Sequence, residues 1–189
     1  MIPKRKMIVG ISGASGAIYG KKLIEQLIQH NIETHVVMSM WAKKNLVLED
    51  KINLERTKEL ADFTYSNHDL SAPIASGSRL YDAMFIVPTS MKTLSSIANG
   101  FSDTLISRAA DICLKEHRPL ILSPRETPLN TIHLENMLKL SRLGVRIVPP
   151  MPAFYNEPKD IEDLIDHHVM KLLDQVGIHI EGKRYLEND

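Results

Sequence analysis

The run Met7-Ile8-Val9-Gly10-Ile11 ends in Ser12-Gly13-Ala14-Ser15-Gly16 and passes at once into a helical pattern, Ile18, Leu23, Ile24, Leu27 and Ile28. A buried strand that turns through small residues straight into a helix is the first half of a strand–helix–strand unit. It points to a parallel sheet, because the chain crosses back over the sheet before pairing again. The helix start leaves backbone N–H groups without intrahelical partners. Together with the positive end of the helix dipole they form an anion site, most often for phosphate. Ser15 sets a hydroxyl at its centre. The plainer alternative is that the glycines only permit a tight turn.

Four more apolar runs follow: Thr34–Met38, Met84–Val87, Pro119–Leu122 and Val145–Val148. Each is too short for a helix and lacks polar alternation, as in strands buried on both faces. Helical patterns occupy Ser102–Lys115 and Thr131–Leu143. The cleanest apolar stripe is Ile161, Leu164, Ile165, Val169, Leu172, Leu173 and Val176, between Pro158 and Gly177. Five strands alternating with helices predict an α/β three-layer sandwich around a mainly parallel sheet. Residues 1–189 are expected to form one domain. Residues 177–189 would be a polar tail, mobile or ordered at a subunit interface. The span 49–78 is the least regular, with a short helix expected near Leu54–Phe63.

Composition removes several classes. Twenty-three basic and 23 acidic residues give a formal net charge of zero, so there is no electrostatic footprint for nucleic acid or an anionic membrane. The one cysteine, Cys113, excludes an intrachain disulfide and a Cys-cluster zinc site. It is expected to be a small core residue. No uninterrupted apolar segment suits a signal-peptide core or a membrane span, so a soluble cytoplasmic protein is expected. Aromatic residues are only 5% of the chain, which makes an exposed one such as Trp41 a candidate for function.

In an open α/β sheet, ligands bind beyond the carboxyl ends of the strands. The candidate segments are therefore Ser12–Ser15, Ser39, Thr89–Thr93, Ser123–Thr127 and Pro149–Tyr155. The first turn lacks the spacing G-x-G-x-x-G, and the second strand ends in Met38-Ser39 without an acidic residue for a ribose, which argues against NAD. Lys21 is followed by Lys22, so the loop ending G-K-[ST] is absent too. Pro88-Thr89-Ser90-Met91-Lys92-Thr93 carries more hydroxyls than a helix cap needs. In Pro124-Arg125-Glu126-Thr127-Pro128, Arg125 is suited to grip phosphate and Glu126 to move a proton, although neighbouring Arg and Glu are often a surface ion pair. Arg108, Asp111 and Lys115 recur at helical spacing, as on a solvated helix face. Three prolines stiffen the loop that ends at Tyr155. Asp166-His167-His168 resembles a metal motif, but adjacent helical residues point in different directions, and no metal is expected.

Taken together, Gly13-Ala14-Ser15-Gly16, Ser90-Met91-Lys92-Thr93, Ser107-Arg108-Ala109-Ala110-Asp111, Arg125-Glu126-Thr127-Pro128-Leu129, His133-Leu134-Glu135-Asn136-Met137-Leu138 and Pro152-Ala153-Phe154-Tyr155 resemble, in this order, the UbiX/Pad flavin prenyltransferases. The resemblance runs from about Ile8 to Gly177. Met38-Ser39-Met40-Trp41-Ala42 and Thr64-Tyr65-Ser66 resemble the branch associated with phenolic-acid (hydroxyarylic acid) decarboxylases. The resemblance implies a flavodoxin-like or Rossmann-like homododecamer that joins reduced FMN, at N5 and C6, to the dimethylallyl group of dimethylallyl monophosphate. The product, prenylated FMN, would serve a UbiD-type decarboxylase.

By the same resemblance, FMN contacts fall on Gly13, Ala14, Ser15, Ser39, Ser90, Met91, Lys92, Thr93 and Arg125. Contacts to the dimethylallyl phosphate fall on Tyr155 and Lys171, with Arg108 and Lys115 around it, some crossing from a neighbouring subunit. Ser15, Glu49 and Glu126 take the catalytic positions. Lys171 stands where many relatives carry Arg, keeping the charge without the bidentate fork. Lys183-Arg184-Tyr185 replaces a basic residue followed by Trp. Two other readings are a flavin-binding accessory subunit of a phenolic-acid decarboxylase without chemistry of its own, and a flavin-dependent cysteine-type decarboxylase. The second would carry an Asn in the stretch that here reads Pro88–Thr93.

Overall fold

The computed structural model describes residues 4–50, 57 and 59–185. Its frame is a six-stranded sheet of β1 (Lys6–Ile11), β2 (Glu33–Met38), β3 (Phe63–Ser66), β4 (Ala83–Thr89), β5 (Leu120–Pro124) and β6 (Arg146–Ile147). The spatial order is β3-β2-β1-β4-β5-β6, and every pairing is parallel. Val9 lies in register with Val36 on one side and Phe85 on the other. This is the Rossmann order, and strand order reverses between β1 and β4.

Period-two alternation sorts the central strands between two cores. Met7, Val9 and Ile11 of β1 and Ala83, Phe85 and Val87 of β4 face one side. There they meet α1 (Ala17–Gln29), α2 (Met40–Asp50) and α6 (Ile161–Asp174). Ile8, Met84, Ile86, Leu120 and Leu122 face the other side, against α3 (Met91–Ala98), α4 (Leu105–Lys115) and a single 3-10 turn at Pro73–Ala75. The expected three-layer sandwich is thus formed, with Cys113 buried in the second core. Between β5 and β6, α5 (Thr131–Arg142) buries only Leu140, while Ile132, Leu134 and Leu138 stay exposed.

The sheet has one strand more than the sequence pattern predicted. β3 is an edge strand, mostly exposed and paired on one side only, so its four residues Phe-Thr-Tyr-Ser carry no buried apolar run. Its Phe63 and Tyr65 rings instead stack on His35 of β2, at 4.7 and 5.9 Å between centroids. The helix expected near Leu54–Phe63 lies largely outside the described residues; Thr57, Glu59 and Leu60 are helical, and Phe63 already belongs to β3. The pattern at Ser102–Lys115 becomes a helix only from Leu105. There Thr104 and Ser107 cap each other's backbone N–H groups in a capping box.

α2 escaped the sequence pattern because only Ala42 and Leu46 are buried on it, whereas Met40, Trp41, Val47 and Leu48 are exposed. The polar tail runs back along α6. Ile180 packs on the first core, and Arg184 makes a bidentate pair with Asp174 at 2.8 and 2.9 Å.

Candidate active site

The carboxyl ends of four strands are tied into one rim. Ser12, after β1, donates its backbone N–H and its hydroxyl to the Pro88 carbonyl at 3.2 and 2.9 Å. The same hydroxyl accepts the N–H of Ser90 at 2.7 Å. Thr89 Oγ1 accepts the Ser123 N–H, and the Thr89 carbonyl accepts the Arg125 N–H, both at 3.1 Å. Ser39, after β2, donates its N–H to the Ile11 carbonyl at 2.9 Å. The rim therefore sits at the switch point, where helices diverging to opposite faces leave room for a ligand.

α2 clasps the glycine turn with three side chains spaced four residues apart, hence on one helix face. A Cβ at Gly13 would fall 2.5 Å from Trp41 Cβ. Asn45 Nδ2 donates to the Ala14 carbonyl at 3.0 Å, and Glu49 Oε2 accepts the Gly16 N–H at 2.8 Å. Gly16 has φ +91°, a conformation that favours glycine. The anion position at the start of α1 is thus taken by this chain's own carboxylate. Ser15 projects from the same turn, and its hydroxyl has no hydrogen-bond partner among the described residues. Trp41 is exposed, with Lys44 Nζ 4.5 Å above its ring.

Ser39 and Ser90 cap the two neighbouring helices. Ser39 Oγ accepts the Ala42 N–H at 3.0 Å, and Ser90 Oγ accepts the Thr93 N–H at 3.3 Å while donating to Thr93 Oγ1 at 3.1 Å. Met91 packs partly on the second core, and exposed Lys92 lies 4.0 Å from Asp103. The Arg125 side chain forms no ion pair or hydrogen bond among the described residues. Glu126 is exposed, its Oε1 accepting the Thr127 N–H at 2.9 Å. Helix starts bearing hydroxyls, an uncommitted guanidinium and an uncommitted serine hydroxyl suit a phosphorylated ligand with further polar edges, as FMN is.

Near Arg125, Ser123 and His168, both singled out in the sequence, are brought together, with Tyr19 packed on His168. Ser123 Oγ is 2.9 Å from His168 Nε2, and the Tyr19 ring meets the His168 ring edge-on at 5.0 Å. Burial pushes the His168 imidazole down to about 4, with the neighbouring His167 adding to the shift. Burial raises the Tyr19 phenol, and the Arg125 charge partly opposes this.

Tyr155, in the loop before α6, and Lys171, on α6, lie around His167 in a second cluster. The Tyr155 hydroxyl is 2.8 Å from His167 Nε2, and its ring meets Tyr185 edge-on at 5.5 Å. Lys171 Nζ lies 3.8 Å from Asp174, whose carboxyl the Arg184 hydrogen bonds hold down at about 2. Each histidine of the supposed metal motif thus faces a hydroxyl. No group of three or more His, Cys, Asp or Glu side chains that could hold a metal occurs among the described residues.

Arg108 sits near the start of α4, 3.4 Å from Asp111. Lys115 is not brought to the rim. It ends the same helix about 10 Å further on, paired with Glu116 beside Gly77 in the segment leading to β4. That is the amino edge of the sheet.

The fold and rim define a flavin-binding α/β protein, and the chain belongs to the flavoprotein family, whose pattern, described as "Flavoprotein", matches residues 1–172. Within that family it groups with the UbiX-like flavin prenyltransferases. It is 55% identical over 186 residues to flavin prenyltransferase LpdB of Lactiplantibacillus plantarum, covering 98% of this chain and 100% of that one. The structure of AnUbiX (PadA1) in complex with FMN and dimethylallyl pyrophosphate superposes with a TM-score of 0.93 at 44% identity, over 97% of this chain and 100% of that chain. A dodecameric FMN-dependent UbiX-like decarboxylase from Escherichia coli O157:H7 gives 0.94 at 50% identity, over 95% and 98%. No helix among the described residues is long and apolar enough to cross a membrane.

Proposed function

We propose that this chain is a flavin prenyltransferase, acting as a single flavoprotein domain in the cytoplasm. It transfers the dimethylallyl group of dimethylallyl monophosphate to reduced FMN and hands prenylated FMN to a UbiD-type aromatic acid decarboxylase. The observation that carries this reading is the rim at the switch point, with its capped helix starts, free Ser15 hydroxyl and uncommitted Arg125. Likeness over the full chain to named flavin prenyltransferases supports it.

Gly13, Ala14, Ser15, Ser39, Ser90, Met91, Lys92, Thr93 and Arg125 would hold the flavin. Reduced FMN supplies, when bound, the electron-rich N5 and C6 at which the two new carbon bonds form. The allylic C–O bond breaks and phosphate leaves, so the protein must stabilise charge developing on the phosphate oxygens. Arg108, Lys171 and the Tyr155 hydroxyl supply cations and a donor, and Glu126 moves a proton on the phosphate. Ser15 relays a proton from its Oγ. Glu49, joined to the same turn through Gly16, orients that segment.

Lys115 lies at the opposite edge of its own sheet, so it serves the site of a neighbouring copy. The exposed Leu134 and Leu138, one turn apart on α5, offer an apolar helix face for such assembly, and we propose a homododecamer. The test is anaerobic incubation of the protein with reduced FMN and dimethylallyl monophosphate, followed by mass spectrometry of the flavin. One added C5 unit is expected. An unmodified flavin, retained but unchanged, would overturn the assignment and leave a binding protein.

A further inference from the structure

The carbonyl of Ala14 and the N–H of Gly16 belong to the two peptide units that flank Ser15, and side chains of α2 hold both. Asn45 Nδ2 donates to the Ala14 carbonyl at 3.0 Å, and Glu49 Oε2 accepts the Gly16 N–H at 2.8 Å. We infer that Asn45 is a positioning residue for prenyl transfer: together with Glu49 it fixes the backbone at Ser15, and thereby the direction in which the Ser15 hydroxyl leaves the turn. This rests on the proposed role of Ser15 as a proton relay.

Peptide units are planar, so the backbone of a residue is described by the two dihedrals that relate its flanking planes. With one plane anchored, the residue can still swing the other. With both anchored from one rigid element, both dihedrals are set, and the side chain keeps only its choice among staggered rotamers. The polarity of the Asn45 bond is fixed by its partner. A backbone carbonyl oxygen can only accept, so the amide must turn its NH2 group toward Ala14. The Ala14–Ser15 peptide is trans, and in a trans unit carbonyl and N–H point in opposite directions. Drawing the Ala14 carbonyl to α2 therefore turns the Ser15 N–H away from that helix. No described residue accepts this N–H, which leaves it, like the hydroxyl, available to a ligand.

α2 is built to act as the anchor. Ala42 and Leu46 bury it in the first core, and Ser39 caps its start. Asn45 and Glu49 stand one turn apart on the face that meets the turn. Gly13 has no side chain to hold the helix off, and a Cβ there would fall 2.5 Å from Trp41 Cβ. Asn45 is partly buried, whereas Glu49 is exposed, so the amide bond is the better shielded of the two. Without Asn45 the Ala14–Ser15 plane is released while Glu49 still holds the next one. The hydroxyl then samples directions in which proton transfer, which needs hydrogen-bond reach, does not occur. The loss falls on the chemical step. Arg108, Lys171 and Tyr155, the groups proposed to address the phosphate, stand on other elements.

The test compares Asn45→Leu, Asn45→Asp and Ser15→Ala in the full-length protein with saturating reduced FMN, reading kcat and the KM for dimethylallyl monophosphate. Leu and Asp keep much of the volume of Asn and lose the N–H donor. Each should lower kcat roughly five-fold, as for loss of one hydrogen bond, with KM unchanged. Over Ser15→Ala, the Asn45→Leu change should cost nothing further. Wild-type kcat in Asn45→Asp, whose shape is that of Asn, would overturn the inference; with Ser15→Ala impaired in the same assay, the role of Ser15 would stand. A loss from Asn45→Leu that persists undiminished over Ser15→Ala, or that appears in KM instead of kcat, would show Asn45 supporting the fold at large and would overturn it as well. If Ser15→Ala keeps wild-type kcat, the relay by Ser15 fails and the inference with it.

Discussion

Acid should destabilise this protein through His168, and the size of the effect follows from its surroundings. The imidazole is 5% exposed, bonded to Ser123 and packed on Tyr19, and burial lowers it from 6.5 to about 4. A histidine held neutral in the fold takes up a proton more readily when unfolded. Its stabilising contribution is complete above the unfolded value and is lost as pH falls toward the folded one. Integrating that linkage from about pH 8 to about pH 5 gives a loss of about 2 kcal/mol from this one group. His167 and His35 are also lowered and act in the same direction, so the wild-type slope contains all three. His168→Leu isolates the term. It leaves the buried Ser123 hydroxyl without its partner, costing about 1–3 kcal/mol at pH 8, but removes the titration. Urea unfolding at fixed protomer concentration, followed by circular dichroism across this range, should give two stability curves that converge toward acid. Asp174, held at about 2, titrates below this window. Parallel curves for the two proteins, or a His168 proton-resonance midpoint near 6.5, would refute the reasoning.

Three further outcomes are expected. Glu126→Gln should retain FMN binding and lose most prenyl transfer; wild-type turnover, read by the flavin mass assay, would remove Glu126 from the chemistry. Arg125→Ala should weaken FMN binding by about ten-fold or more, as expected for loss of a charge-assisted contact, and an unchanged FMN titration would count against that contact. Gly20→Ala should destabilise the fold by about 1–3 kcal/mol, the usual cost of overpacking, because the new methyl meets the Val87 carbonyl and the Ile11 side chain; a thermal melt would show it.

Those parts of the fold that bury apolar side chains at a regular spacing were legible in the sequence. The central strands β1, β2, β4 and β5 read as continuous apolar runs because both faces are covered. α6 read cleanly because Ile165, Val169, Leu172 and Leu173 share one buried stripe. What stayed hidden was held by other forces. β3 is fixed by backbone pairing and by rings stacked on His35 rather than by burial of its own residues. α2 is fixed by the turn it clasps, so its defining residues are Trp41, Asn45 and Glu49, and none of these is an apolar core residue. No hydrophobic pattern reports contacts of that kind, because the information lies in a partner more than 25 positions away.

The glycine turn shows how far local reading of the site can go. Small residues before a helix signal an anion, and the structure puts one there: Glu49 Oε2, 2.8 Å from the Gly16 N–H. A second anion at that point would meet a like charge at close range, where repulsion is about 4 kcal/mol for 4 Å separation at an effective dielectric of 20. At the start of α3, by contrast, Ser90 and Thr93 supply hydroxyls, and no carboxylate among the described residues accepts a backbone N–H of the first turn. The Glu49 carboxylate comes from 33 residues away, beyond the reach of any local reading of the turn.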